Sequence, residues 1–88
     1  MMFYVYMLLC ADGTYYTGYT TDLQRRLNKH NSGKGAKYTR GRRPCKMVWS
    51  CPFETKSKAM RNEYALKQMT RKDKIRFIKM SNDALIYT

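Results

Sequence analysis

Phe3-Tyr4-Val5-Tyr6-Met7-Leu8-Leu9, then Ala11-Asp12-Gly13-Thr14, then Tyr15-Tyr16-Thr17-Gly18-Tyr19-Thr20 is the passage on which the fold turns. The first seven residues are all aromatic, branched or otherwise apolar, which reads as a mostly buried strand. Asp12-Gly13 supplies a turn, because this pair tolerates positive φ. Tyr15 to Thr20 then reads as the return strand of a hairpin. Side chains alternate along a strand, so Tyr4 and Tyr6 share one face, as do Tyr16 and Gly18. Gly18 in mid-strand has no local need for glycine, and there it marks a bulge or a close approach by another backbone or a ligand. The tyrosine pair fits either cross-strand aromatic packing or chemistry.

Outward from the hairpin, Thr21-Asp22-Leu23-Gln24 has the form of a capping box, with Thr21 as N-cap and Gln24 at the third helical position. Leu23 and Leu27 give that helix its apolar face, and Ser32-Gly33 stops it. Gly33 to Pro44 is a glycine-rich basic connection with one helical turn around Ala36 to Thr39. Cys45 to Ser50 carries Met47, Val48 and Trp49 and reads as a third strand, ended by Pro52. Thr55 caps a helix running to about Gln68, whose inward stripe is Ala59, Met60, Tyr64 and Leu66. Thr70-Arg71-Lys72-Asp73 starts a last helix anchored by Ile75, Phe77 and Ile78. The order is ββα, a basic loop, then βαα. This predicts an α+β fold, a three-stranded antiparallel sheet flanked by helices.

The chain has 88 residues, a length for one domain, with a core over about residues 3–75 and a C-terminal helix and tail to 88. Twelve aromatics, eight of them tyrosine, exclude a disordered basic tail. The longest nearly apolar run, Phe3 to Ala11, is far short of the ~20 residues of a membrane helix and lacks the basic flank of a signal peptide. The expected setting is therefore cytoplasmic, away from membranes. Three cysteines, Cys10, Cys45 and Cys51, have no paired spacing and read as reduced thiols rather than as disulfides or zinc ligands.

Eighteen Lys and Arg against six Asp and Glu leave a net charge of +12. Such a field attracts polyanions, above all nucleic acid, whose phosphates Lys and Arg neutralise. The candidates for that contact are Lys34, Lys37, Arg40, Arg42 and Arg43 in the glycine-rich loop and Lys67 beyond it. Tyr38 in the loop is suited to stacking on a base. The loop is not a phosphate-binding GxxxxGK[ST] loop, no GxSxG elbow occurs, and the few acids are scattered, which disfavours hydrolase triads and paired-carboxylate chemistry.

Arg26 and His30 are four apart on one helix and border its buried face. Arg26 is suited to a bidentate grip on phosphate. Glu63 lies on or at the edge of the apolar stripe of the helix capped by Thr55, where a carboxylate needs a partner, either an arginine or a divalent metal.

The ordered set Tyr6, Tyr16, Gly18, Arg26, His30 and Glu63 resembles the GIY-YIG nuclease superfamily. Tyr4-Val5-Tyr6 stands at the GIY triplet and Tyr16-Thr17-Gly18 at the YIG triplet. Arg25-Arg26, His30, the basic loop and Arg42-Arg43-Pro44 look like its small stand-alone UPF0213 (YhbQ-like) group. Tyr4 departs from the glycine of the first triplet and Thr17 from the usual aliphatic of the second. The resemblance implies a metal-dependent DNA endonuclease, selective for DNA structure and acting in DNA repair or processing. In it Tyr6 is the general base or positions the water, Tyr16 holds water or phosphate, Arg26 stabilises the phosphoryl charge, and His30 tunes Tyr6 or touches phosphate. Glu63 is the one protein ligand of a single Mg²⁺ or Mn²⁺, and Gly18 is structural. A free tyrosine has a pKa of about 10, so Tyr6 as a base requires Arg26, His30 or the metal to lower it. The alternatives are a non-catalytic nucleic-acid-binding module of the same fold and a scaffold docked on a larger complex. DNA is the expected partner, with RNA an alternative. Target choice would come from the basic loop, from DNA structure or from a partner protein.

Overall fold

A computed structural model of the chain describes residues 1–86, with side chains described through residue 81. Residues 87–88, placed by the sequence in the tail of the domain, lie outside the described residues. The elements are β1 (Phe3–Leu9), β2 (Tyr15–Thr20), α1 (Leu23–Asn31), α2 (Lys37–Arg40), β3 (Lys46–Phe53), α3 (Lys56–Lys67) and α4 (Arg71–Ile86). The fold is α+β, as the element order predicts. The sheet runs β2-β1-β3, antiparallel throughout.

β1 is central, which explains its unbroken apolar run. Val5 and Met7 pack with Ala59 and Leu66 on one face, joined by Trp49, Phe77 and Ile78. Tyr6 and Leu8 pack with Cys10, Cys45, Leu23 and Leu27 on the other. The two cores divide the helices: α3 and α4 cover the first face, and α1 the second. At the hairpin turn Gly13 takes φ +84°, and Asp12 Oδ1 accepts from Thr14 N at 3.2 Å and Thr14 Oγ1 at 2.7 Å.

Four local expectations are corrected. The N-cap of α1 is Asp22, not Thr21: Asp22 Oδ1 accepts from Arg25 N at 3.1 Å, and Thr20 Oγ1 holds Asp22 N at 3.1 Å. A carboxylate is favoured there because it meets the positive end of the helix. Gln24 donates instead to Asn28 Oδ1. Pro52 does not end β3 but pairs with Tyr4 inside it, which an edge strand permits because its missing N–H can face outward. On α3 only Ala59 and Leu66 are buried, while Met60 and Tyr64 are 48% and 68% exposed. The buried pair is seven apart, two full turns, and sets the inward face that Met60 and Tyr64 miss. Ile75 is exposed as well, leaving Phe77 and Ile78 to anchor α4. The caps Thr55 and Thr70 and the left-handed Gly33 stand as read.

Candidate active site

β1 and β2 are registered so that Tyr6 lies opposite Gly18. Built on Gly18, a Cβ would sit 2.7 Å from Tyr6 Oη and 3.0 Å from Tyr16 Cε2. The glycine therefore makes room for the Tyr6 ring to lie across the neighbouring strand, so what approaches closely is a side chain rather than the backbone or ligand that its place in the sequence suggested.

Leu23 and Leu27 seat α1 on this face and carry His30 beneath the tyrosines, with 1% of its surface exposed. Tyr6 Oη is 2.9 Å from His30 Nε2, and His30 Nδ1 is 2.9 Å from Thr39 Oγ1. The Tyr16 ring stands 5.1 Å from His30 and 6.3 Å from Tyr6 between centroids, and Tyr38 follows at 5.7 Å from Tyr16. Tyr6 is fully buried and Tyr16 half-buried, so Tyr16 is the phenol that meets solvent.

Burial pushes the Tyr6 phenol above the ordinary tyrosine range, and Tyr16 adds to the rise; Arg26 opposes it and Glu63 reinforces it. Of the lowering influences that Tyr6 requires as a base, Arg26 is present but outweighed, because burial penalises the phenolate more than one guanidinium relieves it. Burial and the nearby Arg26 hold His30 below its ordinary value, so the ring is neutral near pH 7. Arg26 is half-buried and lines two neighbouring clefts, one with Thr20, Thr21, Asp22, Arg25 and Lys29 and one with Phe3, Tyr19 and Lys56. Its side chain borders both solvent and the tyrosine.

Glu63, from α3, is half-buried and near enough to act on the charge of Tyr6. Its Oε1 lies 3.0 Å from Lys67 Nζ. No group of three or more His, Cys, Asp and Glu side chains suited to a metal occurs among the described residues. A single carboxylate already occupied by an ammonium still fits a hard cation of the Mg²⁺ kind, which keeps most of its waters and takes its other oxygens from substrate phosphate.

The basic residues divide in their surroundings. Lys34, Lys37 and Arg40 are exposed. Arg42 is braced, with Nε 2.9 Å from Asp12 Oδ2, an amino group 2.7 Å from Tyr38 O, and its guanidinium 4.1 Å above the Tyr38 ring. Arg43 donates to Arg40 O and Asn31 O. Lys67 is the partner of Glu63. These residues therefore also build the loop and the site.

Three contributors were not foreseen. Thr39 sits inside the basic loop that the sequence offers as a nucleic-acid contact, yet it is fully buried. Gly35 lets the loop press on His30: a Cβ there would be 2.5 Å from Nδ1. Asn31 ties α1 to the residue that leads into β3, its amide exchanging two hydrogen bonds with Cys45 N and O at 2.7 and 3.0 Å. The spacing of Asn31 from Cys45 carries no periodic signal, whereas a glycine five residues after a buried histidine was a readable hint. Cys10 and Cys45 face each other at 3.6 Å between sulfurs as free thiols, and burial pushes Cys45 up to about 11.

Comparison with known proteins matches residues 2–76 to the GIY-YIG catalytic domain. A UPF0213 protein of Streptococcus agalactiae is 59% identical over 76 residues, covering 86% of each chain. One from Halobacterium salinarum is 58% identical over 73 residues, covering 83% of this chain and 95% of its own. Among solved structures, a UPF0213 protein of Bacillus halodurans is 52% identical with a TM-score of 0.60, covering 91% of this chain and 85% of its own. A protein from E. faecalis is 48% identical with a TM-score of 0.65, covering 93% and 88%.

Proposed function

The chain belongs to the GIY-YIG domain family, within its UPF0213 group, and from that premise we propose that it hydrolyses phosphodiester bonds in DNA with one divalent metal. The observation that carries the reading is the buried Tyr6–His30 hydrogen bond, flanked by the Arg26 guanidinium and the Glu63 carboxylate. Nothing in a binding surface requires a neutral histidine aimed at a buried phenol.

Tyr6 cannot work as a stored phenolate. It works as a relay: the attacking water gives its proton to Oη while the tyrosine proton passes to His30 Nε2. The new O–P bond forms as the scissile P–O bond breaks, and the leaving oxygen takes a proton from solvent. His30, now an imidazolium, returns its proton through Tyr6 to solvent after the step. Arg26 and Tyr16 are the half-buried side chains beside the buried Tyr6. A phosphate that draws the Arg26 guanidinium toward the clefts opens Oη to water and meets the charge growing on its own oxygens. Tyr16 donates to a phosphate oxygen. Glu63 would hold Mg²⁺ or Mn²⁺, which supplies Lewis-acid stabilisation of phosphoryl charge when bound. Lys34, Lys37 and Arg40 lead the backbone in. Selection of branched or otherwise structured DNA, and service in repair or processing in the cytoplasm, are parts of the same proposal. RNA remains a competing substrate to be tested beside DNA.

The second reading, a binding module without catalysis, draws on two observations: the +12 charge and the Lys67 ammonium on Glu63. Labelled branched, single-stranded and duplex DNA, and RNA, offered with Mg²⁺ or Mn²⁺, separate the two. Cutting by the wild type that folded Arg26→Ala and Glu63→Gln both lose supports the enzyme. Salt-sensitive binding with no cutting of any substrate supports the module.

A further inference from the structure

Thr39 is fully buried although it belongs to a four-residue helix in an otherwise exposed, cationic loop. Its hydroxyl has one proton to donate. Oγ1 lies 2.9 Å from Ala36 O and 2.9 Å from His30 Nδ1. A carbonyl has no proton, so the hydroxyl donates to Ala36 and presents a lone pair to the imidazole. Nδ1 must then carry the ring proton. In a neutral imidazole this leaves Nε2 as the acceptor, and Tyr6 donates across their 2.9 Å contact. The reverse assignment sets the lone pairs of Thr39 and Ala36 against each other. It also strands the Tyr6 proton on a side chain with no exposed surface.

We propose that Thr39 is a positioning residue: by holding the ring proton on Nδ1 it aims the Nε2 lone pair at Tyr6 and sets the direction in which the tyrosine proton leaves. Gly35 completes the device. A Cβ there would be 2.5 Å from Nδ1 and 2.7 Å from His30 Cα, so the loop backbone rests against the ring and blocks its rotation. The basic loop read as a nucleic-acid contact thus has an inner side that governs the relay. The effect on cleavage rests on the proposed function, whereas the tautomer does not.

The chain has one histidine, so its imidazole signals need no assignment. The full-length protein, labelled with ¹⁵N-histidine, is compared as wild type, Thr39→Val and Thr39→Ser by long-range ¹⁵N–¹H correlation near neutral pH. Wild type and Thr39→Ser should show a protonated Nδ1 and a bare Nε2. Thr39→Val, nearly the same shape, should show a mixture or the opposite tautomer. Cleavage by Thr39→Val should fall about 10–100-fold in kcat with KM little changed, the usual scale for loss of a group that orients a functional imidazole, and Thr39→Ser should restore it. Protonated Nε2 in the wild type overturns the inference whether or not the variants fold. So does a Thr39→Val ring that keeps its proton on Nδ1. A wild type with the expected tautomer that cuts nothing overturns the nuclease reading and leaves the role of Thr39 standing.

Discussion

Gly18→Ala tests whether the site depends on the contact between β1 and β2. A methyl at this position would begin 2.7 Å from Tyr6 Oη and 2.9 Å from Tyr6 Cζ, against an ordinary contact of 3.4 Å or more. The Tyr6 hydroxyl must therefore retreat by 3.4 − 2.7 = 0.7 Å, and it has no free space to enter because Tyr6 is fully buried. Overpacking of this kind costs about 1–3 kcal/mol. Gly18 has no positive φ, so alanine also restricts the unfolded chain and returns about 0.4–1 kcal/mol. The net loss is about 0.5–2 kcal/mol, or roughly 2–15 °C in Tm for a domain of this size. The displacement is also comparable to the ~1 Å misplacement that costs about 100-fold in rate. Thermal melting followed by circular dichroism reads the first quantity, and cleavage kinetics well below Tm reads the second. Gly41→Ala is the control, since a Cβ there meets nothing within 4 Å. Tyr6→Phe removes the atom that clashes most, so the two changes should couple, with the double variant more stable than the sum of the singles predicts. A Gly18→Ala chain with wild-type Tm and rate, or additivity with Tyr6→Phe, would refute the reasoning.

Three further outcomes follow from the same geometry. His30, faced by Tyr6, Tyr16, Arg26 and Thr39, is held below its ordinary 6.5, so it protonates more readily in the unfolded chain. Its stability contribution is therefore complete above pH 6.5 and disappears as pH falls through the lower folded value. Cleavage should decline in that same acid range, and melts of His30→Asn should lose this part of the pH dependence. Glu63→Gln should abolish divalent-dependent cutting yet change stability by less than about 0.5 kcal/mol, because its partner Lys67 is exposed and four residues away on the same helix; metal titration and a melt on one sample decide it. Thr17 Oγ1 is buried without a hydrogen-bond partner, so Thr17→Val should raise stability by about 1 kcal/mol. Thr17 lies opposite Met7, on the face away from Tyr6, and its cleavage rate should stay at the wild-type level.

The sheet was legible because its signals were short-range and redundant. β1 shows an unbroken apolar run, the turn has its glycine, and the mid-strand Gly18 announces a crowded neighbour. Local competition was harder to read. Thr21 and Asp22 are both good caps, and only the Thr20 hydroxyl on the Asp22 backbone settles the choice. Met60 and Tyr64 are apolar enough for a core, but the packing of Ala59 and Leu66 turns them outward. Within the site, Tyr6, Tyr16, Gly18 and His30 are brought together as the motif order implied, with Arg26 and Glu63 near enough to act on the charge of Tyr6. Thr39 is not legible in the sequence, because the pattern of the basic loop is dominated by its charges. What buries Thr39 is the tertiary meeting of α1 with the loop, which no local pattern encodes.

The placement of β1 at the centre of the sheet also sets an order of assembly. Tyr6 meets Gly18 across a hairpin and His30 at a separation of 24 residues. β3 has a longer way to come, pairing Trp49 with Met7, and α3 with Glu63 follows it in the chain. Closing longer loops costs more entropy, so nearby contacts form ahead of distant ones. The hairpin and α1 can therefore bring the tyrosines and the imidazole together early, while the carboxylate waits for the longer closure that docks α3 on the sheet. On the proposed chemistry, a chain whose α3 has not docked holds its proton relay but no seat for the metal, and the capacity to cut is withheld until α3 is in place.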